Sequence, residues 1–210
     1  MNRKELTDEI ADLFGRSKIS VSCLDRALAT RGVREGTRRG RGAPDVSSTD
    51  IVNLAIGIAS DRTLLGAADF AREVSRLQLC EILIARDGRE ITEPPDPYAP
   101  KRFGPEIVAL IEQAPSTSDL IDMEVRVSLT SPEAQIRIAS DGEVKTYLFH
   151  DPSNRPEELC FESYVTFPKG VLHRLIEMRH GSLEIPEARA SENPKNLVGP
   201  AGFEPALNPL

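Results

Sequence analysis

Eight basic side chains crowd one stretch of thirty residues. Between Gly15 and Pro44 the chain carries Arg16, Lys18, Arg26, Arg31, Arg34, Arg38, Arg39 and Arg41 against only Asp25 and Glu35, a local net charge of +6. A guanidinium presents a planar fork of donors that matches phosphate or the edge of guanine. The last arginines stand among Gly36, Gly40 and Gly42, and glycine lets a backbone approach a phosphate closely. No aromatic residue interleaves with them, so stacking on single-stranded bases is the weaker fit, although RNA stays open. Double-stranded DNA is the expected partner. The whole chain of 210 residues has a net charge of −7, so the other residues sum to −13. A uniformly acidic protein would be repelled by a polyanion, but a basic segment on an acidic body is not.

The elements that must hold these side chains are helices. Leu6, Ile10, Leu13 and Phe14 recur at helical spacing over Arg3 to Phe14, and Gly15 supplies a stop. After Arg16-Ser17-Lys18-Ile19 a second helix is expected with Ser20 or Ser22 as its N-cap, and Ser22 with Asp25 has the spacing of a capping box. Val21, Leu24 and Leu28 form its buried stripe, and Gly32 ends it. Its expected open face carries Ser20, Ser22, Asp25, Arg26 and Thr30. Two short amphipathic helices joined by a glycine-containing turn read as a helix-turn-helix, whose second helix enters a major groove. The Gly/Arg run that follows, from Arg34 to Pro44, then reads as an arm or wing whose arginines reach phosphates or the minor groove.

Further along, Ser47-Ser48-Thr49-Asp50 is a dense helix start followed by the stripe Ile51, Leu54, Ala55 and Ile58. A fourth helix is expected from about Leu64 to Leu79, and its apolar pattern allows continuation through Ile82-Leu83-Ile84 to Gly88. Thr92 to Pro100 holds four prolines and marks a linker. A short helix then covers Pro105 to Gln113.

In the second half the hydrophobic period changes to two. Met123 to Leu129, Ala134 to Ile138, Val144 to Phe149 and Phe161 to Phe167 read as strands, with Asp141-Gly142 as a hairpin turn. Pro168 to His180 reads as a helix stopped by Gly181. The expected fold is α+β: an N-terminal helical helix-turn-helix domain followed by a small antiparallel sheet of three or four strands with a covering helix. The expected organisation is a helical domain over 1–90, a proline-rich linker over 91–104, an α+β domain over 105–182 and a disordered tail over 183–210.

Other chemistry is not indicated. Neither G-x-S-x-G, a P-loop nor H-E-x-x-H occurs, so no catalytic residue is assigned and an enzyme is not expected. His173 and His180 lie seven apart with no ligand set to complete a site, so neither metal nor cofactor is expected. Cys23, Cys80 and Cys160 are odd in number and far apart, which suits a reducing compartment better than a disulfide framework. No apolar run approaches the roughly 20 residues of a spanning helix, so no membrane partner is expected. Two acidic residues precede any apolar run at the N-terminus, unlike a signal peptide, and a cytoplasmic location is expected.

From Leu6 through Pro44 to Ile58 the chain resembles the small helix-turn-helix DNA-binding proteins of temperate phages and integrated elements. The shared features are the amphipathic first helix, a Ser-started second helix, the arm Arg39-Gly40-Arg41-Gly42-Ala43-Pro44 and a Ser/Thr-capped third helix. The resemblance covers about a quarter of the chain and implies a transcription regulator; a homodimer is expected because one small helix-turn-helix reads only a few base pairs and two half-sites make a useful operator. The expected DNA contacts are Arg16, Lys18, Ser20, Ser22, Arg26, Thr30, Arg34, Arg38, Arg39 and Arg41. Two other readings stand beside it: a DNA-packaging (small terminase-like) or recombination accessory protein, and a protein-interaction module without nucleic acid.

The tail bears on origin. Gly202-Phe203-Glu204-Pro205 is what GGN-TTC-GAA-CCN encodes, and the complement of that DNA contains the T-arm sequence of a transfer-RNA gene. A gene that runs into such a site would belong to an integrated element. Sequencing the coding DNA checks this: Phe203 and Glu204 are expected to be encoded by TTC and GAA, and any other codons would remove the idea.

Overall fold

The computed structural model describes residues 1–34, 46–113, 122–140, 142–151, 153 and 163–180. The Gly/Arg segment beyond Arg34, the expected tail over 183–210, Asp141 of the hairpin and the expected strand start at Phe161 lie outside these residues. In chain order the elements are α1 (Arg3–Leu13), α2 (Lys18–Thr30), α3 (Ser48–Ala59), α4 (Leu64–Arg76), β1 (Gln78–Arg86), β2 (Arg89–Glu93), α5 (Phe103–Gln113), β3 (Asp122–Ser128), β4 (Glu133–Ser140), β5 (Glu143–His150), β6 (Tyr164–Phe167) and α6 (Lys169–His180). The fold is α+β, with an N-terminal helical region and one antiparallel sheet.

Helix α3 is the centre. Ile51, Val52, Leu54, Ala55 and Ile56 are all buried, and so are Ser48, Asn53 and Gly57. An apolar helix with no polar face must be surrounded. Around it pack α1, α2, α4, α5 and α6. It starts where expected: Ser47 accepts the Asp50 amide and Asp50 accepts the Ser47 amide, a full capping box. Gly57 lets α2 come close, since a methyl group there would lie 3.2 Å from Leu24.

The sheet has six strands in the order β2-β1-β5-β4-β3-β6, every neighbour antiparallel. One face is packed under the helices through Val125, Val127, Ala134, Ile136, Phe149 and Phe167. Phe103 of α5 is fully buried and meets Phe149 edge to face at 5.4 Å. The start of α5 also lies hard against α4, because a methyl group on Gly104 would stand 2.8 Å from the Ser75 side chain.

Two expectations are corrected. The continuation of the fourth helix through Ile82-Leu83-Ile84 is a strand: α4 ends at Arg76, Leu77 is extended, and β1 begins at Gln78. A short apolar run fits a buried helix or a buried strand equally well, and pairing with β5 decides it. Gly88, expected to end the helix, instead forms with Asp87 the two-residue turn of a hairpin into β2, with φ of 50° at Asp87 and 72° at Gly88. Positive φ at both central residues is the type I′ geometry that Asp-Gly favours. Secondly, the proline-rich stretch does not separate two bodies. Strand β1 lies before it in the chain and pairs with β5, which lies after it. The sheet therefore has six strands, where three or four were expected.

Helix α6 closes the packed face against β3, β6, α1 and α5. On it His173 is half-buried, and burial, reinforced by Lys169, lowers its pKa below the ordinary value of 6.5, with Glu177 opposing. The unfolded chain therefore takes up this proton first as pH falls. The stability present above about pH 6.5 is lost as the pH drops through the lowered folded value. His173→Gln is expected to flatten the decline in stability between about pH 7 and pH 5, measured by urea unfolding.

Candidate nucleic-acid interface

Helices α1 and α2 pack against each other and are joined by a four-residue turn. Gly15 has φ of 60°, and the Arg16 amide reaches back to the Ala11 carbonyl at 2.9 Å, which closes α1 with a glycine cap. The N-cap of α2 is Ser17, in place of the expected Ser20 or Ser22; its Oγ accepts the Ser20 amide at 3.1 Å. Serines at 17, 20 and 22 all satisfy the cap pattern, and the position of the turn selects between them. Helix α2 ends in a second glycine cap. Gly32 has φ of 65° and the Val33 amide bonds to Leu28 at 2.9 Å.

The open face of α2 is narrower than expected. Ser20, Arg26 and Thr30 are exposed, and Ser22 is half-buried. Ser20 shares a hydroxyl hydrogen bond with Ser17 at 2.9 Å, and Thr30 donates to the Arg26 carbonyl at 3.0 Å. No carboxylate among the described residues pairs with Arg26. Arg16 pairs with Asp61 at 2.8 Å and Lys18 with Asp8 at 3.5 Å. These are solvent-exposed pairs, worth roughly 0–1 kcal/mol, which a phosphate can replace.

Asp25 and Arg34 must be reassigned. Asp25, expected on the open face, is buried at 5% exposure. It receives Arg34 at 2.7 Å and Arg3 at 3.4 Å, and Arg3 reaches on to Asp50 of α3 at 3.1 Å. The Arg34 side chain is 5% exposed and also donates through Nε to the Asp25 carbonyl at 2.9 Å. It therefore holds the chain to α2 and presents no guanidinium to a phosphate. The reason is geometric: the glycine cap at Gly32 reverses the backbone and lays residue 34 back along the helix it has just left. Arg38, Arg39 and Arg41 lie outside the described residues. The chain returns at Val46, buried, just before the Ser47 cap.

Reasoning from the sequence missed three residues here. Arg3 joins the ion cluster from the start of α1. Arg31 pairs with Asp69 of α4 at 3.3 Å. Ile19 is 77% exposed on α2, and at positions 19, 22, 26 and 30 it falls on the same stripe as Ser22, Arg26 and Thr30. Its absence from the stripe Val21, Leu24, Leu28 was the available signal. For Arg34 there was none, because a charge run reads as uniformly solvated.

Elsewhere the described residues hold no group of three His, Cys, Asp or Glu that could bind a metal ion. His150 Nδ1 lies 3.0 Å from the Asp151 carbonyl, and His150 stands opposite the buried Glu133 across β4 and β5. His180 Nε2 meets the Ile111 carbonyl at 3.0 Å. Among the described residues no helix is long and apolar enough to cross a membrane. Comparison of the chain with protein-family models, curated proteins and solved structures finds no match in any of the three.

Burial pushes the Asp25 carboxyl above its ordinary pKa, and Arg3 and Arg34 pull it only part of the way back. A raised folded value means that the carboxyl contributes most to stability at low pH and loses this as pH rises through that value. Arg34→Met removes the shorter of its two ion pairs. It is expected to cost about 3 kcal/mol at neutral pH, with the loss shrinking on acidification as Asp25 becomes neutral. Adding Asp25→Asn should recover much of it; urea unfolding of the single and double variants at two pH values checks both.

Proposed function

We propose that this protein binds double-stranded DNA through α2 and the Gly/Arg segment that follows it, and acts as a transcription regulator of an integrated element. The observation that carries the reading is the Arg34–Asp25 clamp. It fastens the root of the Arg38, Arg39 and Arg41 segment directly onto α2, while Val46 and the Ser47 cap fasten its other end to α3. The segment that carries these arginines in the sequence therefore starts from a helix whose exposed stripe ends in Arg26 and Thr30.

In this reading Arg38, Arg39 and Arg41 meet phosphates or the minor groove, and Arg16 and Lys18 exchange Asp61 and Asp8 for phosphates at the other end of the helix. Arg26, Ser20, Ser22 and Thr30 face the groove. The isoleucine at 19 suits the methyl group of a thymine. The acidic remainder of the chain turns away from the duplex and limits nonspecific contact. A dimer, a cytoplasmic location and the absence of catalysis belong to the same proposal.

A second reading is favoured by one observation. An exposed isoleucine flanked by ion-paired Arg16 and Lys18 also suits a protein partner, and α2 would then be a docking helix. Duplex binding at several salt concentrations separates the two. Replacing Arg38, Arg39 and Arg41 with alanine is expected to weaken binding to every sequence and to flatten the log–log salt slope by about 2.7. Arg26→Ala should alter preference between sequences more than it alters the slope. Unchanged binding in the triple variant at low salt would overturn the reading.

A further inference from the structure

Strand β2 is an edge. It pairs with β1 on one side, and no strand among the described residues lies on the other. All five of its residues, Arg89-Glu90-Ile91-Thr92-Glu93, are exposed, and Ile91 is 57% exposed. An exposed edge is a template for another strand, and the side chains along it decide which strand is accepted.

The hairpin sets which backbone groups are free. Arg86 and Arg89 close a two-residue turn, so they form a hydrogen-bonded pair, and bonding alternates outward from there. Arg89, Ile91 and Glu93, opposite Arg86, Ile84 and Ile82, spend their amides and carbonyls on β1. Glu90 and Thr92 direct theirs outward. Any strand added to this edge must bond through those two residues.

We propose that the partner for this edge is a second copy of the same chain, paired antiparallel about a two-fold axis through Ile91. In that register Glu90 of one copy faces Thr92 of the other, twice. Both outward-pointing residues of each copy then meet a residue whose backbone groups are also free. Ile91 faces Ile91, and Arg89 faces Glu93 at both ends. These last are non-hydrogen-bonded positions, where opposite side chains come closest and a charge pair or an apolar pair counts most.

Charge selects this register over its neighbours. A shift of two residues one way sets Glu90 against Glu90. The same shift the other way sets Thr92 against Thr92 and leaves Ile91 facing Glu93. Only pairing about Ile91 places each charged side chain of the odd-numbered row on its opposite. The length of the contact is bounded as well, by the turn at Asp87-Gly88 and by Pro94-Pro95, which lack amide donors. Two six-stranded sheets would thus join edge to edge over one short strand each, a small interface that forms and parts with concentration.

The inference does not depend on DNA binding, and its test contains no DNA. Light scattering of the full chain at high-micromolar concentration is expected to show a dimer that dissociates on dilution. Glu93→Arg sets arginine against Arg89, and Arg89→Glu sets glutamate against Glu93; each is expected to abolish the dimer and halve the measured mass. Mixing the two variants restores opposite charges at both ends, and a heterodimer is expected to form. This recovery also shows that both variants are folded. A monomeric native chain over the whole concentration range, a single variant that stays dimeric, or a mixture that stays monomeric would each overturn the proposal.

Discussion

The buried carboxylate of Asp25 is the point on which the candidate site depends. It lies at 5% exposure on α2 and gathers Arg3 from α1 and Arg34 from beyond the glycine cap, while Arg3 carries the cluster on to Asp50 of α3. Burying a charge is costly unless its partners are well placed, and a cluster with the partners supplied from separate elements holds those elements in one arrangement. Here that arrangement sets the angle between α1 and α2, and it also sets where the Gly/Arg segment leaves the helix. Asn53 adds a neutral brace: it donates to the Val33 carbonyl at 3.3 Å and accepts from Ser75 of α4 at 2.7 Å. The exit from α2 is thereby tied to both α3 and α4.

The sheet and the helices form one core. Helix α3 is buried by five other helices, and the α5 side chain of Phe103 carries that packing into the sheet at Phe149. Because β1 belongs to the first half of the chain and sits between β2 and β5, the two halves share backbone hydrogen bonds. A proline-rich connection between them is then a surface excursion from β2 to α5. Prolines say that a segment is neither helix nor central strand, and that much is local; they do not say whether the elements on either side pack together.

Much of the fold was legible. The stripe Leu6, Ile10 and the stripe Val21, Leu24, Leu28 are the buried faces of α1 and α2, and the Ser47–Asp50 cap starts α3. The alternation in Met123 to Ser128 and in Ala134 to Ile138 marks β3 and β4. These features depend on neighbours within a few residues. What failed was the run Leu79 to Ile84, whose neighbours in space are Lys145 to Phe149 on β5, far along the chain. Asp87-Gly88 is a hairpin-turn signal, but after an apolar run of helical pattern the same glycine also fits a helix end.

The candidate site divides in the same way. The amino-acid sequence by itself determined the amphipathic helices, the glycine stops at 15 and 32, and the concentration of arginine between them and Pro44, because composition, periodicity and capping act locally. The tertiary structure alone decided which of the charged groups are available. Arg34 and Asp25 belong to a buried cluster, Arg16 and Lys18 are paired at the surface, and Arg26 has no carboxylate partner among the described residues. Nine residues separate Asp25 from Arg34 and twenty-two separate it from Arg3. Charge density can be counted along a chain, but an ion pair forms between groups that only folding brings within hydrogen-bond distance.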